Sequence, residues 1–154
     1  MLGYLNDPEE TLRTLRTFPD GNVWLCSGDL GHMDADGYVY FHQRLKRMII
    51  TNGYNVYPSR LENVIDSVPE VAYSCVIGVK DPRRIQRVKA YVVLRDGVEA
   101  SAAMKEKIME TLRRHVAAYA LPRALEFRPE LPKTLVGKVD YRTLEAEAEA
   151  AQAK

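Results

Sequence analysis

Residues 48–68 read MIITNGYNVYPSRLENVIDSV. The stretch changes period halfway along. Met48–Thr51 is a run of β-formers, and Asn52-Gly53 is a strong signal for a tight hairpin turn. From Pro58 the spacing switches: Leu61, Val64, Ile65 and Val68 recur at helical intervals and make one apolar face. Pro58 suits the first turn of that helix and Pro69 ends it. A strand-turn-strand unit feeding an amphipathic helix points to an α+β fold, a small sheet flanked by helices.

Downstream, VAYSCVIGV (71–79) and VKAYVVL (88–94) read as two strands joined by the polar link KDPRRIQR. A second amphipathic helix is expected from about Ala102 to Tyr119, with Met104, Ile108, Leu112 and His115 or Val116 inward, closed by Pro122. ALEF (124–127) is a short strand, Pro129 through Lys138 a loop, and a last helix starts at Asp140 as its cap. Upstream lies a β-rich segment. DPEETLRTLRTF predicts a short helix with Asp7 as N-cap, Pro8 at its first position and Glu10 at the capping-box position. Val23–Cys26 reads as a strand, Asp34–Gly37 as a turn and YVYFH as the strand after it, the pair forming a hairpin. QRLKR (43–47) interrupts the apolar pattern with three cations.

Composition narrows the function classes. The 154 residues are 46% hydrophobic and 28% charged, ordinary for one globular domain or a small domain with an attached piece. A net charge of +1 argues against a coat for nucleic acid or acidic membrane. No apolar run approaches the ~18 residues of a membrane span, and MLGYLNDPEE has no export pattern. Cys26 and Cys75 form no C-x-x-C and fit buried thiols in a reducing cytoplasm. The dinucleotide, P-loop, nucleophile-elbow and zincin motifs are all missing, and three scattered histidines make no metal cluster.

Four short segments remain, each with a plain structural reading and two of them with a chemical one beside it. Asp29 in Ser27-Gly28-Asp29-Leu30 is a turn former, or a carboxylate that accepts two adjacent hydroxyls as on a ribose. Gln43–Arg47 is a charged, solvated strand edge. Thr51–Tyr54 is a β-turn. LPKTLVGK (131–138) is an exposed loop, or a pinned loop that delivers the ammonium of Lys138 to an anion.

Taken together, in this order and spacing, the four segments resemble the C-terminal part of the adenylate-forming enzymes, the fatty-acyl-CoA ligases above all. SGDLGHMDADGYVYF is similar to the family's T-G-D-L-G-x-x-D-x-D-G-Y-x-x-F, RLKRMIITNGYNVYPSRLENVI to R-x-K-D-x-I-x-x-x-G-x-x-x-x-P-x-E-I-E, and LPKTLVGK to L-P-K-T-x-x-G-K. Such enzymes join a carboxylic acid to ATP, with Mg2+, as an acyl-adenylate. They then pass the acyl group to the thiol of coenzyme A, and a small C-terminal domain rotates between the two steps. The resemblance implies that Asp29 and Arg44 bind the nucleotide, that Lys46 is the hinge, and that Lys138 is the catalytic lysine of the first step. It also implies that Asn52, Gly53, Tyr54 and Arg84 face coenzyme A in the second.

The chain departs from the pattern at Ser27, Gln43, Arg47, Arg60, Ile85 and Gln86. Arg47 stands where aspartate is common, and Ile85-Gln86 where Gly-Glu is usual. The phosphate loop, metal site and acyl pocket of such enzymes belong to a large N-terminal domain. The expected division is therefore 1–43 as the closing segment of that large domain and 44–154 as the mobile domain, with no ligase activity in the isolated chain. Trp24, Leu25, Tyr38, Tyr40 and Phe41 would then expose apolar surface, so residues 1–43 are expected to pair with a second copy, as a homodimer, or to be poorly ordered. The expected location is cytoplasmic, with membrane association left to the full-length enzyme. Two other readings compete: a non-catalytic module of the same fold that binds an acyl-carrier or partner protein, and a small nucleic-acid binder, which the near-neutral charge and the lack of a basic stripe disfavour.

Overall fold

The computed structural model describes residues 1–152 and divides the chain between Lys46 and Arg47 into two units.

In the first unit, α1 (Pro8–Thr14) is N-capped by Asp7, whose carboxylate accepts from the Glu10 N–H at 2.9 Å, with Pro8 in the first turn. β1 (Leu15–Thr17) pairs antiparallel with β2 (Val23–Leu25), and β3 (Asp29–Met33) with β4 (Val39–Arg44). The expected hairpin is thus corrected in its first arm. Asp34–Gly37 joins β4 to Asp29–Met33, and Val23–Leu25 pairs instead with a strand not anticipated from LRT. Both missed strands are polar and three or five residues long, so no alternation marks them. Asp34 builds the turn: its carboxylate accepts from the N–H groups of Asp36 and Tyr38 and from the Tyr40 hydroxyl. Among its described residues this unit has no buried side chain, and Trp24, Leu25, Tyr38, Tyr40 and Phe41 are all exposed.

The second unit is built around one sheet. β5 (Ile49–Thr51) and β6 (Tyr54–Val56) form the two-residue hairpin, with Thr51 opposite Tyr54. Asn52 and Gly53 both take left-handed torsions, φ 51° and 79°, as such a turn requires. α2 (Pro58–Asp66) follows. β7 (Val71–Asp81) and β8 (Ile85–Leu94) make a long antiparallel hairpin. The predicted link 80–87 shrinks to Pro82–Arg84, because its outer residues complete the strand ladder. β8 also carries β5 at Thr51–Ile85 and, further along, β9 (Ala124–Phe127), paired in parallel. α3 (Ala102–His115) is capped by Ser101 and ends four residues before the expected limit. His115 is exposed, and Val116 packs on the core. Ala118–Ala120 is a short 3-10 turn, since the residue before Pro122 disfavours helix.

Strand alternation sends side chains to both sheet faces. On one face Ile49, Val56, Val76, Val88, Ala90 and Val92 meet Leu61 and Ile65 of α2 and Ile108 and Leu112 of α3. On the other, Cys75, Ile77, Val79, Tyr91 and Val93 meet Leu131 and, from α4 (Tyr141–Gln152), Leu144 and Ala148. The fold is α+β, a sheet with helices on both faces, as the sequence pattern indicates. Each fully buried leucine or isoleucine here contributes roughly 1.5–3 kcal/mol. Burial pushes the Cys75 thiol up to about 12, helped by the nearby Glu62 carboxylate, so it is an inert core thiol. Among the described residues no helix is long and apolar enough to cross a membrane.

Candidate functional site

In the second unit, backbone turns place the candidate residues at two separate ends of the sheet. At one end the Asn52 N–H donates to the Arg84 carbonyl at 3.2 Å, so the β5–β6 turn lies against the β7–β8 turn. Asn52, Gly53, Tyr54 and Arg84 are therefore neighbours although about 30 residues separate them in sequence. A Cβ on Gly53 would meet nothing within 4 Å, which leaves its backbone open to an approaching chain. Tyr54 stacks on Tyr119, ring centroids 4.4 Å apart, an aromatic pair beside the turn.

Two residues that depart from the family pattern lie at this end, one holding it and one strained. The Gln86 side-chain carbonyl accepts from the Ile50 N–H at 2.9 Å. Ile85 has φ 69°, a torsion suited to the glycine usual there and strained for a β-branched residue.

At the other end lies the Lys138 loop. It leaves the core at Leu131, whose N–H donates to the Tyr73 hydroxyl at 3.4 Å. Lys133 and Val139 bridge antiparallel. Within the bridge the Thr134 N–H donates to the Lys138 carbonyl at 2.7 Å, and the Gly137 N–H to the Thr134 carbonyl at 2.8 Å. Gly137 is left-handed at φ 77°. This is a three-residue hairpin, a tight turn followed by a left-handed residue, and it needs glycine at that place. Asp140 closes the loop: its N–H donates to the Pro132 carbonyl at 2.7 Å, and its carboxylate caps α4 at Arg142 and Thr143. Hydrogen bonding by Thr143 holds that carboxyl below its usual range. Lys138 is exposed.

Tyr73 and Asp81 mark the two ends. They are eight residue steps apart along β7, about 26 Å at the rise of a strand. The turn around Gly53 and the Lys138 hairpin are thus anchored at opposite ends of one rigid sheet.

Arg47 opens the second unit from the inside. Its guanidinium forks onto Glu62 of α2, Nη2–Oε1 at 2.5 Å and Nη1–Oε2 at 3.2 Å. Nη2 also donates to the Val76 carbonyl at 3.3 Å, and the group lies 5.1 Å from the Tyr141 ring centre. Glu62 accepts in addition from the Val76 N–H at 2.8 Å. Burial opposes the charge on Arg47, but the Glu62 carboxylate outweighs it, and the guanidinium is held even further from deprotonation than usual. The departure at Arg47 is thereby explained: its charge is spent within the unit. Glu62 matches the last glutamate of the P-x-E-I-E segment quoted above, but nothing in the sequence signals that it pairs with Arg47.

In the first unit Asp29 and Arg44 stand opposite each other on β3 and β4, with Nε and Oδ1 3.5 Å apart. Both are exposed. The Asp29 N–H donates to the Ser27 hydroxyl at 3.2 Å, and the Leu45 N–H to the Gly28 carbonyl at 2.8 Å. These bonds tie the chain into the first unit as far as Leu45. Lys46, exposed in the 3-10 turn Leu45–Arg47, is its last residue.

The AMP-binding enzyme C-terminal domain profile matches residues 60–138, half of the chain. A long-chain-fatty-acid–CoA ligase of Bacillus subtilis (strain 168) is 44% identical over 150 residues, 97% of this chain and 25% of that protein. The acetyl-coenzyme A synthetase of the same organism is 41% identical over 123 residues, 80% of this chain and 22% of that protein. The crystal structure of the anthranilate CoA ligase AuaEII in complex with anthranoyl-AMP superposes with a TM-score of 0.85 at 33% identity, covering 99% of this chain and 29% of that chain. The chain belongs to the AMP-binding enzyme C-terminal domain family, whose relatives here are acyl-CoA ligases. It spans about a quarter of the length of the curated relatives it matches.

Proposed function

We propose that this chain is the C-terminal part of an ATP-dependent fatty-acyl-CoA ligase, with Met1–Lys46 closing a large nucleotide-binding domain and Arg47–Lys154 forming a mobile domain, a boundary three residues later than the sequence pattern suggests. In the first reaction a carboxylate oxygen attacks the α-phosphorus of ATP; the new P–O bond forms as pyrophosphate leaves. Lys138 brings a cation to the meeting point of two anions, where it offsets their repulsion and stabilises the transition state. Asp29 accepts the two ribose hydroxyls, with Arg44 beside it toward the phosphates. In the second reaction the coenzyme A thiolate attacks the acyl carbon and AMP departs. Gly53, flanked by Asn52 and Tyr54, lets the pantetheine arm pass close to the backbone, while Arg84 meets the nucleotide end.

The observation that carries this reading is the separation of the Gly53 and Lys138 turns by the length of β7. A domain with two working ends serves two half-reactions by turning, and Lys46, at the boundary of the units, is the hinge. Mg2+ neutralises phosphate charge when bound with ATP. Its ligands we place in the large domain. The fatty acid as substrate rests on the likeness to the long-chain ligase. The free thiols of Cys26 and Cys75 suit a cytoplasmic enzyme.

The experiment is a half-reaction assay on the full-length enzyme. Lys138→Ala lowers acyl-adenylate formation by two to three decades or more and spares thioester formation from supplied acyl-adenylate. Gly53→Leu does the reverse. Equal losses in both half-reactions would overturn the assignment. The isolated 154-residue chain shows no ligase activity.

A further inference from the structure

The hairpin that carries Lys138 has a tip made of Leu135 and Val136. Both are among the most exposed apolar side chains of the protein, at 109% and 79% of full exposure. Neither belongs to either core cluster. Turn centres ordinarily take Gly, Pro, Asn, Asp or Ser for torsional reasons, and a β-branched valine gains nothing from the turn itself. Folding of this unit therefore gives no reason for an apolar pair at this place.

The hairpin is also stiff. The Lys133–Val139 bridge and two backbone bonds close it, and the Lys138 N–H is 3.3 Å from the Thr134 hydroxyl. Tip and lysine therefore move as one body. Any cleft that admits the Lys138 ammonium also receives Leu135 and Val136 at its wall. A solvated ammonium acts weakly on an anion, because water screens it; the same charge acts several times more strongly once water is excluded. An apolar pair beside the lysine can supply that exclusion, shedding its own water as it docks.

Resting on the reading of Lys138 given above, we propose that Leu135 and Val136 are positioning residues for the first half-reaction. They form an apolar wedge that seats on an apolar wall of the large domain's nucleotide cleft and holds the lysine in a dry setting.

The test compares Leu135→Ser/Val136→Ser, Leu135→Met/Val136→Ile and Lys138→Ala in the full-length enzyme, assayed in each half-reaction. The double serine variant is expected to lose adenylate formation roughly ten- to hundredfold, the loss of two buried apolar groups. Its thioester formation from supplied acyl-adenylate stays within about twofold, and its melting temperature is unchanged because both side chains are exposed in the folded unit. The Met/Ile variant restores adenylate formation to within about threefold, since it keeps the apolar surface. If Lys138→Ala is inactive in the first step but the serine variant is unimpaired, or is impaired equally in both steps, the wedge is overturned and the lysine stands. If Lys138→Ala leaves the first step intact, the reading of the lysine falls and the wedge with it.

Discussion

Met1–Lys46 and Arg47–Lys154 are written in the same local vocabulary. Each starts a helix with an oxygen cap, Asp7 in one and Ser101 in the other. Each bends strands at turns carrying left-handed glycine, such as Gly37 and Gly53. Yet no described residue of the first unit is buried, whereas the second holds two apolar clusters, one on each face of its sheet. Caps and turns choose a local shape at tenths of a kcal/mol to about 2 kcal/mol each. They do not offset the roughly 1–2 kcal/mol per residue of backbone entropy that order costs; burial does. Burial of this kind is present in the second unit and absent among the described residues of the first.

Excision probes that contrast most directly. Residues 47–154 produced alone should unfold in one cooperative transition and give a dispersed amide NMR spectrum. Residues 1–46 alone should give a collapsed amide region and no transition. In the intact chain, light scattering should report self-association through the exposed apolar side chains of 1–43. A monomer with an ordered 1–43 segment would break the comparison.

The next largest effect tests what holds the second unit together where it begins. Glu62→Ala leaves the Arg47 guanidinium and the Val76 N–H without their partner. Removing one member of such a half-buried pair costs about 3 kcal/mol, a fall in Tm of roughly 10 °C or more for a unit of this size. Arg47→Met/Glu62→Leu should cost far less than the single change, because no charge is then left behind. A Glu62→Ala variant that melts with the wild type would show that the fork contributes nothing.

Most of the second unit was legible from period alone: the strand-turn-helix of 49–66, the alternation of β7 and β8 and the helical spacing of α3 all follow from where side chains go when buried. The first unit was read worse for the same reason. With one face uncovered, β1 and β3 carry no alternation, and the hairpin was assigned the wrong first arm. At the candidate site, the resemblance to a known family supplied Asp29, Arg44, Gly53 and Lys138 as candidates. It could not show that Arg84 lies against Asn52, which depends on a β7–β8 turn shorter than the sequence suggested. Nor could it show that Arg47 pairs inward, which depends on a helix fifteen residues away.

Ile85 offers a stabilising change. Its φ of 69° places a β-branched side chain where L-residues are strained by roughly 1–2 kcal/mol, and its side chain is exposed. Ile85→Gly relieves that strain with little burial lost. The added backbone freedom of glycine takes back part of the gain, leaving the second unit about 0.5–1 kcal/mol more stable in urea unfolding. Destabilisation instead would mean that the residue adopts an extended torsion and that the turn beside Asn52 is built differently.

The sharpest test sets the same device in both units, and in one of its two arms no shift at all is expected. Ser101 accepts from the Met104 N–H at 3.2 Å, at the start of a helix whose Ile108 and Leu112 are buried. Ser101→Ala frays that start, exposes part of the stripe, and should lower the stability of the cooperative transition by about 1 kcal/mol. Asp7 makes the shorter cap bond, 2.9 Å to the Glu10 N–H, but its helix buries nothing. Asp7→Ala should leave the midpoint of that transition unmoved and show itself only as a local loss of amide protection in residues 8–14. A cap can stabilise only the structure that folds together with it, so equal shifts from the two variants would mean that both units melt as one body and that the first has found a cover.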